Sequence, residues 1–273
     1  MKVPLHVVNA RRDRLAKLLR EQRYISLQEV CKRLGISVAT ARRDLVALEE
    51  EGRITRTHGG ALSDFNERFQ SYSDRYKTAF KSKEAIAKTA MQVIQSGGTY
   101  FFDGGTTISY LAALLSEKFT GSMKILTVNL PVAELLAKHR QFEVCLTGGQ
   151  MLPRQSILLG SGAVRSIEGW NFDAAFLSAE GMNDEGLWNT QLSAIAHQHT
   201  VVRRSRRNIF LLDHTKWGHR AAHFLLPWEA VDSLLTDQPR PEITETTVWL
   251  ANTPMPFPTR TEGAPQNLPV HYL

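Results

Sequence analysis

The first fifty residues carry apolar side chains at helical spacing in three successive segments. Residues 11–22, 27–34 and 38–48 each place these side chains three or four positions apart, with charged or polar residues between them. This period predicts three amphipathic helices, each packing through one apolar face. The inward positions are Leu15, Leu18, Leu19, Leu27, Val30, Cys31, Leu34, Val38, Ala41, Leu45 and Leu48.

The turn between the second and third predicted helices has the residues expected at helix ends. Gly35 is placed to end the second helix in a left-handed conformation, and Ser37 to cap the third. Two short helices joined by such a turn have the dimensions of a helix-turn-helix, whose second helix enters the major groove of DNA. The residues directed outward near the start of that helix are Ala39, Thr40, Arg42 and Arg43.

A second basic segment, "RITRTHGGAL", follows the third helix. Ile54 alternates with polar neighbours, which predicts a short strand pair or wing, and the glycines allow close approach to a sugar-phosphate strand. Arginine matches guanine best, and threonine can contact a base edge. The alternative is a charged helical hairpin with a solvated arginine pair. The predicted DNA contacts are Ser37, Ala39, Thr40, Arg42, Arg43, Arg56, His58 and Gly59.

Helical and strand-like segments alternate from about residue 84 onward. Such alternation predicts an α/β fold with a mostly parallel sheet and helices on both faces. Ligands bind at the carboxyl ends of the strands in sheets of this kind. Strands are predicted at 99–103, 124–128, 142–147, 173–179, 208–213 and 231–237, and the helices among them at 107–115, 131–139 and 192–204.

Polar loops follow several of these strands. The loop in "FFDGGTT" combines glycines, two threonine hydroxyls and the N–H groups of a helix start, which can cradle a phosphate, although a loop of this kind without a ligand is common. Lys216 supplies a counter-charge. The predicted effector contacts are Asp103, Gly104, Gly105, Thr106, Thr107, Asn129, Gly148, Gly149, Glu180 and Lys216.

The positive charge is concentrated at the start of the chain. Residues 1–62 hold 13 Lys and Arg against 7 Asp and Glu, which accounts for the whole net charge of +6. This asymmetry predicts a polyanionic partner for the small domain alone. Hydrophobic content of 42% can supply packed cores. Since no apolar run approaches about 18 residues, a cytoplasmic protein without a membrane partner is expected.

Cysteine and histidine spacing gives no sign of a metal site, a cofactor or a disulfide. Cys31 and Cys145 lie far apart on apolar faces, so both are expected to be reduced core residues. His197 and His199 stand two apart on a predicted helix and face about 200° away from each other. They are poor partners for one metal ion, and surface or core positions are expected.

The amino-terminal motif resembles the winged helix-turn-helix of the DeoR family of bacterial transcriptional regulators. The resemblance runs through "RRDRLAKLL" and "GISVATARRDLVALEEEGRITRTHGGAL". It implies that the helix carrying Arg42 and Arg43 reads the operator. Asp44 would repel phosphate, so it is expected to pair with a neighbouring arginine. The matching positions are Arg11, Leu15, Leu19, Ser37, Thr40, Ala41, Arg42, Arg43, Asp44 and Leu45.

The later segments "FFDGGTT", "LTVNLPVAELL", "VCLTGGQ" and "LLDHTKWG" are similar to the effector domain of the same family. That domain shares its fold with ribose-phosphate isomerases and glucosamine-phosphate deaminases, which implies a sugar-phosphate sensor. The chain departs from many relatives at Ala194 and Gln198, where they carry Glu and Lys, and at Val128, where Asn is usual. The segment "SAEGMNDEGLWNTQLSA" looks closer to regulators of L-fucose or L-ascorbate utilisation.

Together these features predict a transcription regulator in four parts. They are a winged helix-turn-helix at 1–62, a linker at 63–82, an α/β effector domain at 83–251 and an extended proline-rich tail at 252–273. We expect a homo-oligomeric repressor of a carbohydrate-utilisation operon, controlled by a phosphorylated sugar and using no cofactor. The alternative is a sugar-phosphate isomerase or deaminase with a DNA-binding appendage, in which Asp103, Glu180 or Asp213 acts as the base.

Overall fold

The computed structural model describes residues 4–22, 24–50, 54–57, 60–63, 71–152, 155–240, 243–244 and 246–255. The chain divides into two compact units between Gln70 and Ser71, with Arg220–Ala222 grouped with the first unit. No helix among the described residues is long and apolar enough to cross a membrane.

The first unit contains three helices and a small antiparallel sheet among its described residues. Its strands lie in the order β1-β3-β2. The helical faces predicted from the sequence close over one core, in which Leu15, Leu19, Val30 and Leu48 are fully buried. The elements are α1 Leu5–Gln22, β1 Tyr24–Ser26, α2 Leu27–Leu34, α3 Val38–Glu50, β2 Ile54–Thr57 and β3 Gly60–Ser63.

The predicted turn between α2 and α3 is confirmed. Gly35 adopts φ 62° and ψ 37°, a left-handed conformation that is costly for other residues, and its N–H donates to the carbonyl of Cys31. The hydroxyl of Ser37 accepts the N–H of Thr40 at 3.3 Å, as expected for an N-cap. These contacts set where α3 begins.

The structure differs from the sequence-based expectations for this unit in three places. Helix α1 begins at Leu5 rather than near residue 11, and residues 24–26, for which no element was predicted, form β1, which pairs with β3. Val38 was expected to face inward, but it is 48% exposed. It occupies the first turn of α3, and the buried cluster that covers Ala41 and Leu45 does not include it.

The second unit is built on a parallel sheet of seven strands among the described residues, in the order β15-β14-β12-β9-β4-β5-β6. The predicted fold class is therefore confirmed. The elements are α4 Tyr72–Lys77, α5 Phe80–Met91, β4 Thr99–Phe102, α6 Thr106–Lys118, β5 Met123–Thr127, α7 Leu130–Leu136, β6 Phe142–Leu146, β7 Gln150–Leu152, β8 Ile157–Leu159, α8 Ser161–Glu168, β9 Ala174–Leu177, β10 Gly181–Asn183, β11 Gly186–Asn189, α9 Leu192–Arg204, β12 Asn208–Leu211, β13 His223–Leu226, β14 Ser233–Thr236 and β15 Thr247–Leu250.

Helices cover both faces of this sheet. Successive residues of a strand point to opposite faces, so each strand contributes side chains to both cores. In β4, Phe101 joins the core that includes residues of α8 and α9. Its neighbours Tyr100 and Phe102 join the core that includes residues of α5, α6 and α7. Because the strands are parallel, their carboxyl ends lie along one edge of the sheet, and the predicted polar loops follow the strands there.

Several elements were not predicted. They are the β7–β8 hairpin, helix α8, the edge strand β15 and the antiparallel sheet β10-β11-β13. The predicted tail also begins with ordered contacts, since Met255 is 4% exposed and its N–H donates to Gln92 at 3.0 Å. Cys31 and Cys145 are free and half-buried beside the cores.

Candidate nucleic-acid interface and ligand site

The start of α3 presents an exposed surface of small and basic side chains. Val38, Ala39, Arg42 and Arg43 are exposed there, next to the Ser37 cap. The Nε of Arg43 donates to the carbonyl of Ala39 at 3.2 Å, which holds the Arg43 side chain along its own helix. The two arginines make this surface basic, and the major groove is wide enough to admit an α-helix.

Asp44 fastens the opposite side of α3 to α1. Its carboxylate is 2% exposed and accepts Arg11 Nε at 2.6 Å and Arg11 Nη2 at 3.0 Å. Arg12 Nε lies 3.3 Å from the same carboxylate, and the hydrogen bond to Asp44 raises the pKa of Arg11. The expected pairing of Asp44 with an arginine is confirmed, although its partners lie on α1 rather than beside it on α3.

Removing the charge of Asp44 should destabilise the first unit. We expect Asp44→Asn to lower its unfolding free energy by about 2 kcal/mol, because a buried forked hydrogen bond to arginine is lost. The control is Glu29→Gln: Glu29 accepts Arg33 Nε at the same 2.6 Å, but both side chains are 37% exposed, so little change is expected. Amide hydrogen exchange in α1 and α3 measures the loss of stability in each variant. Equal losses in Asp44→Asn and Glu29→Gln would show that the Asp44–Arg11 pair has no special role in stability.

The strand pair predicted as a wing is formed by β2 and β3. Arg56 lies on β2 opposite Ala61 of β3. His58 and Gly59, the other two wing residues predicted to contact DNA, lie outside the described residues.

In the second unit, Asp103 lies at the end of β4 and is the centre of a buried hydrogen-bond network. Its carboxylate accepts His197 Nε2 at 3.0 Å, Gln198 Nε2 at 2.7 Å and the N–H of Ser178 at 3.1 Å. Burial raises the pKa of Asp103, but His197 and the N–H groups of Gly104 and Ser178 outweigh burial and lower the pKa below its ordinary value. Asp103 is therefore held as a carboxylate.

Side chains of neighbouring segments pack closely against the two glycines of the loop after Asp103. A Cβ on Gly105 would lie 2.6 Å from Ser178 Cβ, and one on Gly104 would lie 2.7 Å from Ile157 Cγ2, so larger side chains would collide. Gly105 is the N-cap of α6, and Thr106 and Thr107 are buried on its first turn. The predicted cradle thus forms the expected strand-to-helix turn, tightly packed against the end of β9.

Asn129 joins this network from the next strand. It is fully buried, its Oδ1 accepts the N–H of Val132 at 3.3 Å as the cap of α7, and its Nδ2 lies 3.4 Å from Ser109 Oγ. Val128, where the resemblance implied Asn, is buried in the core. Asn129 is thus the polar side chain that this segment places near Asp103.

Gly148 and Gly149 pack against β8 and α8 and not against the network around Asp103. Gly149 has φ 123°, and a Cβ there would lie 2.4 Å from the carbonyl oxygen of Leu159. The N–H of Gly148 donates to Ser166 Oγ on α8 at 3.2 Å. These contacts give both glycines a packing role beside β8 and α8.

Of the three departures from the family pattern, Gln198 joins the network around Asp103, whereas Ala194 and Val128 are buried in the hydrophobic core. Gln198 donates to Asp103 and to the carbonyl of Ser178, while its Oε1 accepts Asn189 Nδ2 at 3.0 Å. His197, expected as a surface or core histidine, is 1% exposed and contacts Asp103 directly. Its contact could not be anticipated, because 94 residues separate the two side chains.

Glu180 and Lys216 come together at the ends of β9 and β12. Lys216 Nζ lies 3.8 Å from Glu180 Oε2, and Arg75 Nη1 lies 3.7 Å from Glu180 Oε1. Asp213, the first residue of this loop, accepts the N–H of Thr215 at 3.0 Å and also its hydroxyl. Glu180 therefore lies between two cations from distant segments, Arg75 and Lys216. Only Lys216 was predicted from the sequence.

Comparisons with known proteins agree with the two units. A model of the DeoR-like helix-turn-helix domain matches residues 11–67, and a model of the DeoR C terminal sensor domain matches residues 78–238.

Two relatives illustrate the similarity. The glycerol-3-phosphate regulon repressor of Escherichia coli is 30% identical over 85% of this chain and 91% of its own length. The HTH-type transcriptional regulator GolR of Listeria innocua is 32% identical over 83% of this chain and 89% of its own. Among solved structures, ribose 5 phosphate isomerase A from Neisseria gonorrhoeae matches 50% of this chain and 53% of its own at 14% identity, with a TM-score of 0.35.

Proposed function

Since this chain belongs to the DeoR family of transcriptional regulators, we propose that it represses a carbohydrate-utilisation operon and responds to a phosphorylated sugar or polyol. The exposed face of α3, with Arg42 and Arg43 beside the Ser37 cap, is the observation that carries the DNA-binding part. The names of the relatives support repression and this ligand class, since they include repressors of a glycerol-3-phosphate regulon and of a lactose phosphotransferase system.

Contacts to DNA would be divided between α3 and the wing. Arginine and threonine on α3 are suited to base edges, while Arg56, His58 and Gly59 are suited to the sugar-phosphate backbone. The charge of the first 62 residues supports this division, because they carry all of the excess positive charge.

Operator affinity should depend steeply on salt. Each phosphate contact releases bound counterions, so log affinity should fall against log salt concentration with a slope of about −0.9 per contact. Arg56→Gln should make the slope shallower by about one contact. Fluorescence anisotropy with a labelled operator measures this, and a slope unchanged by the substitution would remove Arg56 from the interface.

A symmetric homo-oligomer is part of the proposal. One small winged domain covers little DNA, whereas two modules on related half-sites increase both affinity and the length of sequence that is read. Footprinting on the promoter of the regulated operon should reveal two half-sites related by symmetry.

The effector site is proposed at the carboxyl ends of β4, β5, β9 and β12. Support comes from the turn after Asp103, the buried amide of Asn129 and the ammonium of Lys216, since hydroxyls, N–H groups and a cation recognise phosphate esters. The ligand must bind the DNA-competent and DNA-incompetent arrangements unequally if it is to regulate.

The enzyme alternative has weak chemical support. A general base works best when its pKa lies near the operating pH, whereas the donors around Asp103 hold its pKa low. Incubating the purified chain with pentose and hexose phosphates tests this directly. Turnover would favour the enzyme, and ligand-dependent DNA binding without turnover would favour the regulator.

A thermal-shift screen would identify the effector. A ligand that binds only the folded state raises the melting temperature, by an amount that grows with its concentration relative to its Kd. We expect phosphorylated sugars or polyols to raise it and their unphosphorylated counterparts to have no effect. If no phosphate ester in a broad panel stabilised the chain, the proposed effector class would be wrong.

A further inference from the structure

The short helix α4, the first element of the second unit, is fixed against the start of α6. The hydroxyl of Tyr72 lies 2.5 Å from Ser109 Oγ, and the hydroxyl of Tyr110 donates to the carbonyl of Tyr76 at 3.0 Å. The rings of Tyr76 and Tyr110 also stack with centroids 4.4 Å apart. Because Ser109 lies one turn after the predicted cradle, α4 borders the proposed effector site.

Helix α4 brings Arg75 to one side of Glu180, while Lys216 lies on the other. The two cations approach different carboxylate oxygens of Glu180, at 3.7 and 3.8 Å. All three side chains are largely withdrawn from solvent, with exposures of 15% for Arg75, 16% for Glu180 and 21% for Lys216. Coulomb interactions are stronger here than between fully exposed groups.

Lys83 on α5 is the third cation of this cluster. It is 4% exposed, and its Nζ donates to the carbonyl of Arg75 at 2.5 Å. Burial lowers the pKa of Lys83 to about 8, with Asp213 opposing the shift and Lys216 and Arg75 adding to it. Among the described residues, this cluster brings the three cations together with the carboxylates of Glu180 and Asp213.

Glu180 is a poor match for the cations beside it. Charge-assisted hydrogen bonds between nitrogen and carboxylate oxygen normally measure about 2.7–2.9 Å, and both of its contacts are much longer. A phosphate monoester carries about −1.5 to −2 charges near pH 7 and three terminal oxygens. With three terminal oxygens it can offer each of the three cations an oxygen of its own, whereas the Glu180 carboxylate has two.

We infer that Arg75, Lys83 and Lys216 form the subsite for the phosphoryl group of the effector, and that Glu180 is a resident counter-ion competing with it. The inference rests on the proposed function for the choice of a phosphate ester. Residues 75 and 83 lie on the two helices that directly follow the division between the units. A phosphate bound there acts on the segment that leads out of the DNA-binding unit, which gives the ligand a route to alter DNA affinity.

The competing explanation is that this network only anchors α4. The two explanations predict different signs for Glu180→Gln. If Glu180 competes with phosphate, the substitution strengthens phosphate binding. If the network is only an anchor, the substitution loosens α4 and leaves phosphate binding unchanged or weaker.

The test is calorimetric titration of the full chain with inorganic phosphate at low ionic strength. Arg75→Gln and Lys83→Gln should each weaken binding roughly tenfold or more, because each removes a charged contact, and Glu180→Gln should strengthen it. The matched controls are Arg206→Gln and Lys88→Gln, whose side chains are 62% and 49% exposed, and they should stay within about twofold of wild type. Melting curves verify that each variant is folded.

The pH dependence supplies a second readout. Wild-type affinity for phosphate should decline as the pH rises through about 8, because Lys83 then loses its proton in the free protein. Bound phosphate raises the pKa of Lys83, so the decline ends at that higher value. The second ionisation of inorganic phosphate overlaps the lower end of this window, but it affects wild type and Lys83→Gln alike, so the difference between the two isolates Lys83. Lys83→Gln should remove the decline, and a decline of the same size in that variant would contradict the role of Lys83.

The outcomes separate the inference from the proposed function. Loss of phosphate binding in Lys216→Ala but normal binding in Arg75→Gln and Lys83→Gln would overturn the inference alone. Absence of phosphate binding by the wild type would also overturn it. Normal subsite behaviour without any effect of phosphate esters on DNA affinity would instead overturn the proposed function and leave the subsite standing.

Discussion

Replacing Arg42 or Arg43 with alanine should weaken operator binding more than any other single substitution in the first unit. A bidentate arginine contact to guanine contributes about 1–3 kcal/mol of discrimination, so the base-contacting member should lose roughly fivefold to a hundredfold in affinity. Both side chains are exposed at the start of α3, where their removal leaves no buried group unpaired. The loss should therefore appear in DNA binding and not in stability.

The two arginines can be told apart by what else changes. The one that reads a base should relax sequence preference at one operator position, whereas one that contacts phosphate should reduce the salt slope by about one contact. Arg33→Ala on α2, which removes an arginine paired with Glu29, is the matched control. Anisotropy titrations on the operator and on single-base variants provide the data. Unchanged binding in both variants would remove α3 as the recognition helix.

Replacing Lys216 with alanine should abolish the response to the effector and leave DNA affinity near normal. Its ammonium is a principal counter-charge proposed for the phosphoryl group, and its partner Glu180 belongs to the same site. Affinity for the phosphate ester should fall at least tenfold, since a charged hydrogen bond in a partly buried site contributes about 1.5–3 kcal/mol.

The control for Lys216 is Lys124→Ala. Lys124 also pairs with a glutamate, Glu143 at 3.1 Å, but it is 56% exposed and lies near the amino end of β5. Operator affinity measured with and without the ester should respond normally in this variant. A normal response in Lys216→Ala would mean that the effector site has been placed wrongly.

Local sequence patterns were sufficient to predict the helices and strands whose apolar residues recur at a regular spacing. The helical spacing around Val30 and Leu45, the glycine at 35 and the serine at 37 each act within one or two turns, so the sequence shows them directly. The buried strands were found in the same way, because β4, β9 and β12 form short apolar runs. Parallel strands have their carboxyl ends at the same edge of the sheet. The sequence alone therefore predicted that Asp103, Asn129, Glu180 and Lys216 lie at that edge.

Long-range partners could not be predicted. Asp44 required an arginine, but nothing local selects Arg11, which is 33 residues away. Arg75 and Lys83 lie in or beside a polar segment that resembles a linker, and only the tertiary structure brings them towards Glu180 and Lys216. The strands β7, β8 and β10 are three residues long, too short to display a period.

We propose that one chain both binds operator DNA through α3 and changes its affinity for that DNA when a phosphate ester binds its second unit. The most direct measurement is the affinity of the full chain for its operator, titrated with the phosphate ester that stabilises it. We predict a change of about fivefold to 150-fold, the range typical of allosteric coupling, with no change for the unphosphorylated compound. Equal operator affinity with and without a saturating phosphate ester would show that phosphate esters do not regulate DNA binding by this chain.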